Sequence, residues 1–225
     1  MVVEILCIIV DMLLRWKIAQ WFELLWWKRY LGDKNKSEYL AWKTSYWQNL
    51  LSEVFGESDI PTDKSIIDLG CGPSGVYMAF PKHHVVAVDP LLEKYEIDLS
   101  LFSRTDYPNV EFKNSTIEAY SDSKKYDYVF CLNAINHVAD IHLAYQKISG
   151  LLAENGQLIF SIDAHNYSLF KKLFRAVPGD ILHPHQYDLM EYELMLNELG
   201  LKVKKTVKLK QEFFFNHYVL LAEKL

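Results

Sequence analysis

The residues with the clearest chemical potential lie between Ser65 and Met78, in "SIIDLGCGPSGVYM". An apolar run leads into an acid, Asp68, and then into glycines at 70, 72 and 75. That G-x-G-x-x-G spacing lets the backbone bend sharply and admit a ligand without interference from Cβ atoms. Nineteen positions after Gly70, the next apolar run, "HVVAVD", ends in Asp89. A carboxylate there can accept both hydroxyls of an adenosine ribose. Glycines plus acid therefore indicate adenosine and leave open which adenosine-bearing cofactor binds. Three details favour S-adenosylmethionine over a dinucleotide. Asp68 stands where a dinucleotide turn carries an apolar residue, and an acid suits a cofactor bearing an amino group and a sulfonium. Pro73, with only "VYMAF" before Pro81, makes a poor helix N-terminus for a pyrophosphate. The chain also closes on a strand, a tight "LKQE" connection and a second strand, which reads as an antiparallel hairpin.

The elements that must position these residues follow from the hydrophobic pattern. Residues 1–55 are patterned as helix and contain all six tryptophans, 16, 21, 26, 27, 42 and 47. "SDIPTDK" then reads as a turn. From Lys64, strands are expected at "SIIDL", "HVVAVD", "VEF", "YDYVFCL", "GQLIFSID", "LKVKKTVKL" and "FFFNHYVLLAE". Helices are expected at "GVYMAF", within "LLEKYEIDLSLF", and at "DIHLAYQKISGLLA", "NYSLFKKLFRAV" and "DLMEYELMLNELG", the last stopped by Gly200. This alternation predicts an α/β fold, a mostly parallel sheet with helices on both faces. Two units are expected, an N-terminal helical extension over residues 1–60 that acts as a lid, and a cofactor-binding domain over 61–225.

Composition narrows the function. A net charge of −5, with no long basic run, argues against nucleic acid as a partner. Three cysteines, Cys7, Cys71 and Cys131, lack metal-ligand spacing and point to a reduced, cytoplasmic protein. The apolar leader is interrupted by Glu4, Asp11, Arg15, Lys17 and Glu23, so it falls short of the roughly 20 residues that span a bilayer. It also lacks the basic start and cleavage site of a signal peptide. Helices packed on the domain are the favoured reading, with contact at a membrane surface disfavoured. Met12 is a second candidate start.

From about Lys64 to Leu225 the sequence resembles class I S-adenosylmethionine-dependent methyltransferases, especially the small-molecule type related to ubiquinone and menaquinone methyltransferases. The resemblance rests on six segments in family order: "IIDLGCGPSG", "VVAVDP", "VEFKNSTIE", "YDYVFCLNAINHVAD", "LLAENGQLIFSID" and "HPHQYDLMEYELMLNELGLKV". It implies a three-layer, doubly wound, Rossmann-like fold with seven strands in the order 3-2-1-4-5-7-6, strand seven antiparallel. Carried over by position, Asp68, Gly70, Cys71 and Gly72 would border the methionine half of S-adenosylmethionine, and Asp89 its ribose. Pro90 and Leu91 would line the adenine, with Ser115, Thr116 and Ile117 along its edge and Leu132 and Asn133 beside the transferring methyl. Ser115 stands where the family commonly has an aspartate, and a hydroxyl accepts more weakly than a carboxylate.

Methyl transfer needs a nucleophile held in line with the methyl and sulfur in a dry site, and a base only if the nucleophile arrives protonated. Candidates for that chemistry are His137 and Asn136 after strand four, His165 in "DAHN" after strand five, and His183 and His185 in "LHPHQY". None of the histidines has the spacing of a prepared helical metal pair, so no metal is expected. Tyr39, Trp42, Tyr46 and Trp47 are either an apolar wall over an aromatic or lipid-like acceptor or packing for the added helices. The reading is a methyltransferase acting on a small organic acceptor. A nicotinamide oxidoreductase using the same glycines and Asp89 is the rival enzyme, and a non-catalytic cofactor-binding or membrane-interface module is the rival outside catalysis.

Overall fold

The computed structural model describes residues 2–56, 58–166, 187–213 and 215–224, the side chains of 2–15 excepted. Two helices come first, α1 (Val2–Leu31) and α2 (Lys36–Phe55). Asn35 caps α2 through its side chain, which accepts from Glu38 N, and Gly56 ends it in the left-handed region at φ 72°. The strands are β1 (Ile66–Leu69), β2 (Val85–Val88), β3 (Val110–Lys113), β4 (Tyr126–Cys131), β5 (Leu152–His165), β6 (Leu201–Gln211) and β7 (Phe215–Lys224). Helices α3 (Leu92–Asp98), α4 (Ile141–Leu151) and α5 (Leu189–Glu198) lie between them. Asp188 and Glu191 form a reciprocal capping box on α5, consistent with the expected helix start.

The sheet runs β3-β2-β1-β4-β5-β7-β6. Pairings from β3 through β5 are parallel, and β7 is antiparallel to both β5 and β6. The expected strand order and the odd direction of strand seven are both observed. A core fills each side of the sheet, selected by the two-residue alternation of strands. Ile67, Val86, Val129, Leu158 and Leu220 join α4 and α5 in one cluster. Ile66, Val85, Phe130, Ile159 and Val219 face the other way and join α1, α2 and α3. Because both faces are covered, β1 and β2 are buried at every position, which is why they read as continuous apolar runs.

Two expectations change. "GVYMAF" forms no α-helix: the chain makes two 3-10 turns, Gly72–Ser74 and Val76–Ala79, because Gly75 is extended between them and Pro81 disfavours a helical conformation at Phe80. The helix expected at "NYSLFKKLFRAV" lies outside the described residues, apart from Asn166.

Candidate functional site

The glycine turn is built by β1 and β2 together. Gly70 N and Cys71 N both donate to the Val88 carbonyl, at 2.7 and 3.1 Å, which folds the turn back onto the end of β2. Gly70 has φ 69°, and a Cβ there would overlap the Ala134 Cβ. Glycine is required on both counts. Asp89, next after β2, accepts from Gly72 N at 2.9 Å and from Leu91 N at 2.8 Å. These two amides fix the carboxylate at the carboxyl end of the sheet, between β2 and the glycine turn.

Asp68 plays a different part. Its Oδ2 accepts from Tyr77 N at 3.2 Å and packs against Gly75, where any Cβ would overlap it. The acid that distinguishes this turn thus fastens the second 3-10 turn from beneath. Burial pushes its pKa up to about 7, against the opposing pull of the Tyr77 and Val76 amides.

A narrow cleft with a cavity volume of about 60 Å³ opens at this edge of the sheet. Of the sequence-predicted residues, Gly70, Asp89, Pro90, Thr116, Ile117, Asn133 and His137 line it. Gly72 contributes its amide to Asp89, and Cys71, Leu91 and Leu132 pack behind the lining at 3–6% exposure. Ser115 turns its hydroxyl to the Thr116 carbonyl at 3.0 Å. Asn133 sits at the end of β4 with φ 55°, an uncommon conformation for a residue with a side chain. It is held there by Ser161 on β5, whose Oγ accepts from Asn133 N and donates to Asn133 Oδ1.

Asn136 does not line the cleft. Its amide nitrogen donates to Tyr192 Oη at 2.9 Å, and its oxygen accepts from Asp163 N at 3.4 Å, so the side chain ties the β4 loop to β5 and α5. His165 is buried with its ring 4.4 Å from the Phe215 ring, and its backbone N–H donates to the Tyr187 carbonyl. Asp163 pairs with His217 across the β5–β7 register. His183 and His185 lie outside the described residues.

The largest difference from expectation is the contribution of α1. Trp16, Gln20 and Glu23 line the cleft opposite Asp89, alongside Glu118, Ala134 and Val138 from the sheet side. Glu23 accepts from Tyr95 Oη at 3.2 Å and from Gln20 Nε2 at 3.3 Å. Burial raises its pKa. Asp89 is pushed up to about 7, first by burial and then by the nearby Glu23 charge. Glu118 accepts from Ala139 N at 2.7 Å and from Asp140 N at 3.3 Å. A signal for Glu23 was present: it shares a helical stripe with Ala19, Gln20, Leu24 and Leu31, which are buried among the described side chains of α1.

Helix α2 braces the turn. Trp47 Nε1 donates to the Ser74 carbonyl at 2.9 Å, and the Tyr39 and Ser74 hydroxyls share a hydrogen bond of 2.9 Å. Tyr39 and Trp47 are therefore packing residues, whereas Trp42 is half exposed. Burial raises the Tyr46 pKa, and the neighbouring Asn133 side chain opposes that shift. Lys43 Nζ lies 4.4 Å from the ring centroids of both Tyr46 and Trp47, and burial lowers its pKa to about 8.

A family model described as a methyltransferase domain matches residues 39–206, well over half of the chain. The chain belongs to that family. Among curated methyltransferases, a stretch of 98 residues is 32% identical to the ubiquinone biosynthesis O-methyltransferase of Rickettsia felis, covering 43% of this chain and 40% of that enzyme. The matched region thus spans under half of that relative's length. Solved structures share the fold, and two illustrate it. The YcgJ protein of Bacillus subtilis superposes with a TM-score of 0.65 at 14% identity, over 80% of this chain and 98% of the other. Magnesium protoporphyrin IX methyltransferase of Synechocystis, solved with bound S-adenosylhomocysteine, gives 0.59 at 17% identity over 92% and 94%.

Proposed function

We propose that this methyltransferase-family chain transfers a methyl group from S-adenosylmethionine to a small organic acceptor. The observation that carries the reading is the buried Asp89 carboxylate, facing a cleft whose glycine turn continues into 3-10 turns. A dinucleotide pyrophosphate needs the N-terminus of a helix at that point. A ribose diol needs only the carboxylate and a backbone without Cβ atoms, and Gly70 lines the cleft beside Asp89. The donors and acceptors present fit S-adenosylmethionine. Asp89 would take its ribose, Pro90, Thr116 and Ile117 its adenine, and Gly70 and Asn133 its methionine end. Glu118 supplies at the adenine edge the carboxylate that Ser115 lacks.

The bound cofactor would supply an activated methyl on a sulfonium. The chain's own residues orient and dry the site. Trp16, Gln20 and Glu23 close it from the α1 side, and Ser161 holds Asn133 at its strained φ. Lys43, beside Tyr46, has its pKa lowered to about 8 by burial, and His137 places an imidazole in the cleft lining. Asn136 and His165 act as positioning residues. We assign residues 1–60 to the covering extension and 61–225 to the cofactor domain. A small acceptor accords with the net charge of −5, and a reducing, cytoplasmic setting accords with the buried thiols of Cys71 and Cys131.

Calorimetric titration with S-adenosylhomocysteine and with NADH tests the reading. Binding of S-adenosylhomocysteine alone is expected, and binding of NADH alone would overturn it. In a panel of phenol and amine acceptors, His137→Gln is expected to lower turnover while leaving S-adenosylhomocysteine affinity near wild type.

A further inference from the structure

From Trp16 onward, the outward face of α1 has no part in the cleft. From Trp16 to Leu31, the exposed residues are Lys17, Trp21, Phe22, Leu25, Trp26, Lys28 and Arg29. Every one is either a large apolar side chain or a cation. The acid of this stretch, Glu23, is turned inward beside Tyr95, and acids reappear only past the helix, at Asp33 and Glu38. Trp21, Phe22, Leu25 and Trp26 are 40–55% exposed, and the rings of Trp21 and Phe22 meet edge to face at 5.0 Å. Trp26 stacks on Tyr30 at 4.8 Å, which extends the aromatic surface toward Lys34, whose Nζ sits 4.5 Å from the Tyr30 ring. Lys28 pairs with Asp98, leaving Lys17 and Arg29 to define the charge of the face.

We infer that this face docks the enzyme on the surface of an anionic phospholipid membrane, with α1 lying in the plane of the headgroups. Indole rings flanked by lysine and arginine match a headgroup layer, where the rings meet acyl chains and the cations meet phosphates. A second copy of the chain fits less well, because self-pairing across a twofold axis would set the cations of one face against those of the other. Among the described residues no helix is long and apolar enough to cross a membrane, so contact is at the surface. At 30 residues, α1 is about 45 Å long, enough to lie across several headgroups. Its inner face carries Trp16, Gln20 and Glu23 into the cofactor cleft, so lipid on the outer face would press the helix onto the site. The inference is independent of which cofactor binds.

The test is co-sedimentation of the full chain with phosphatidylcholine vesicles, with and without phosphatidylglycerol, at low and high salt. Salt-sensitive binding to the anionic vesicles is expected. Trp21→Ser combined with Leu25→Ser should weaken it at least tenfold, while S-adenosylhomocysteine affinity and thermal midpoint stay near wild type. If that variant folds poorly, Lys17→Glu with Arg29→Glu should remove the preference for anionic vesicles by itself. No binding to either vesicle, binding that both variants retain, or a concentration-dependent dimer that the same substitutions abolish would overturn the inference.

Discussion

Asp89 carries most of the cofactor reading, and its two amide partners show why. Gly72 N and Leu91 N hold the carboxylate in place before any ligand arrives, so ribose hydroxyls meet an acceptor already oriented. Asp89→Ala should weaken S-adenosylhomocysteine binding by about 2–4 kcal/mol, from loss of two charge-assisted hydrogen bonds. Unchanged affinity in calorimetry would remove Asp89 from the site. The adenine edge gives a second comparison. Ser115 spends its hydroxyl on Thr116, whereas Glu118 faces the cleft. Glu118→Ala should therefore weaken S-adenosylhomocysteine binding several-fold, and Ser115→Ala should leave it nearly unchanged. The reverse order would return the adenine contact to Ser115.

At the scale of elements, the glycine turn is clamped between β2 and α2. Val88 holds it from the sheet and Ser74 is held from above by Trp47 and Tyr39. Trp47 is 4% exposed, so its N–H cannot exchange its partner for water. Trp47→Phe keeps most of the apolar packing and leaves the Ser74 carbonyl without its donor. A loss of about 1–3 kcal/mol in unfolding free energy is expected, the cost of a buried unsatisfied group, together with weaker cofactor binding because the turn is freed. Denaturant unfolding measures the first and calorimetry the second. A stable variant with normal affinity would show that α2 covers the turn without bracing it.

For the whole molecule, the buried acids make stability depend on pH. Asp68 and Asp89 each keep a proton up to about pH 7 in the folded chain, whereas the unfolded chain releases it near pH ~4. Between those values the folded state binds more protons, so stability falls as pH rises from about 4 to 7 and levels off above. The thermal midpoint of the ligand-free chain should be lower at pH 8 than at pH 5.5, and Asp89→Asn should flatten the profile. Glu23→Gln removes the neighbouring charge that raises Asp89, so it should shift the fall to lower pH. A midpoint that climbs across this window would mean that these carboxyls ionise in the folded state at ordinary acid pH. Cofactor affinity should run the other way, rising through about pH 7 as Asp89 becomes the carboxylate that accepts from the ribose.

Much of this architecture is local information. The runs "IIDL" and "VVAV" are apolar because both faces of a central parallel strand are buried, and the glycines, Asp68 and Asp89 declare themselves by spacing along one stretch of chain. Strand order was expected only through the family resemblance that six segments carry, whereas the hairpin of β6 and β7 could be read from the chain itself. What depended on tertiary structure were meetings across long sequence distances. Glu23 reaches Tyr95 72 residues away, and Asn136 reaches Tyr192 56 residues away. Periodicity marks Glu23 as lying on a buried stripe but cannot say that the stripe covers Asp89. It marks Asn136 as following β4 but cannot say that α5 takes its amide. The same limit applies to the tryptophans: all six share one composition signal, and only packing separated Trp47, buried on the glycine turn, from Trp21 and Trp26, which face outward. A pattern along the chain encodes how much of a residue must leave water, and the fold alone decides which distant group it leaves water to meet.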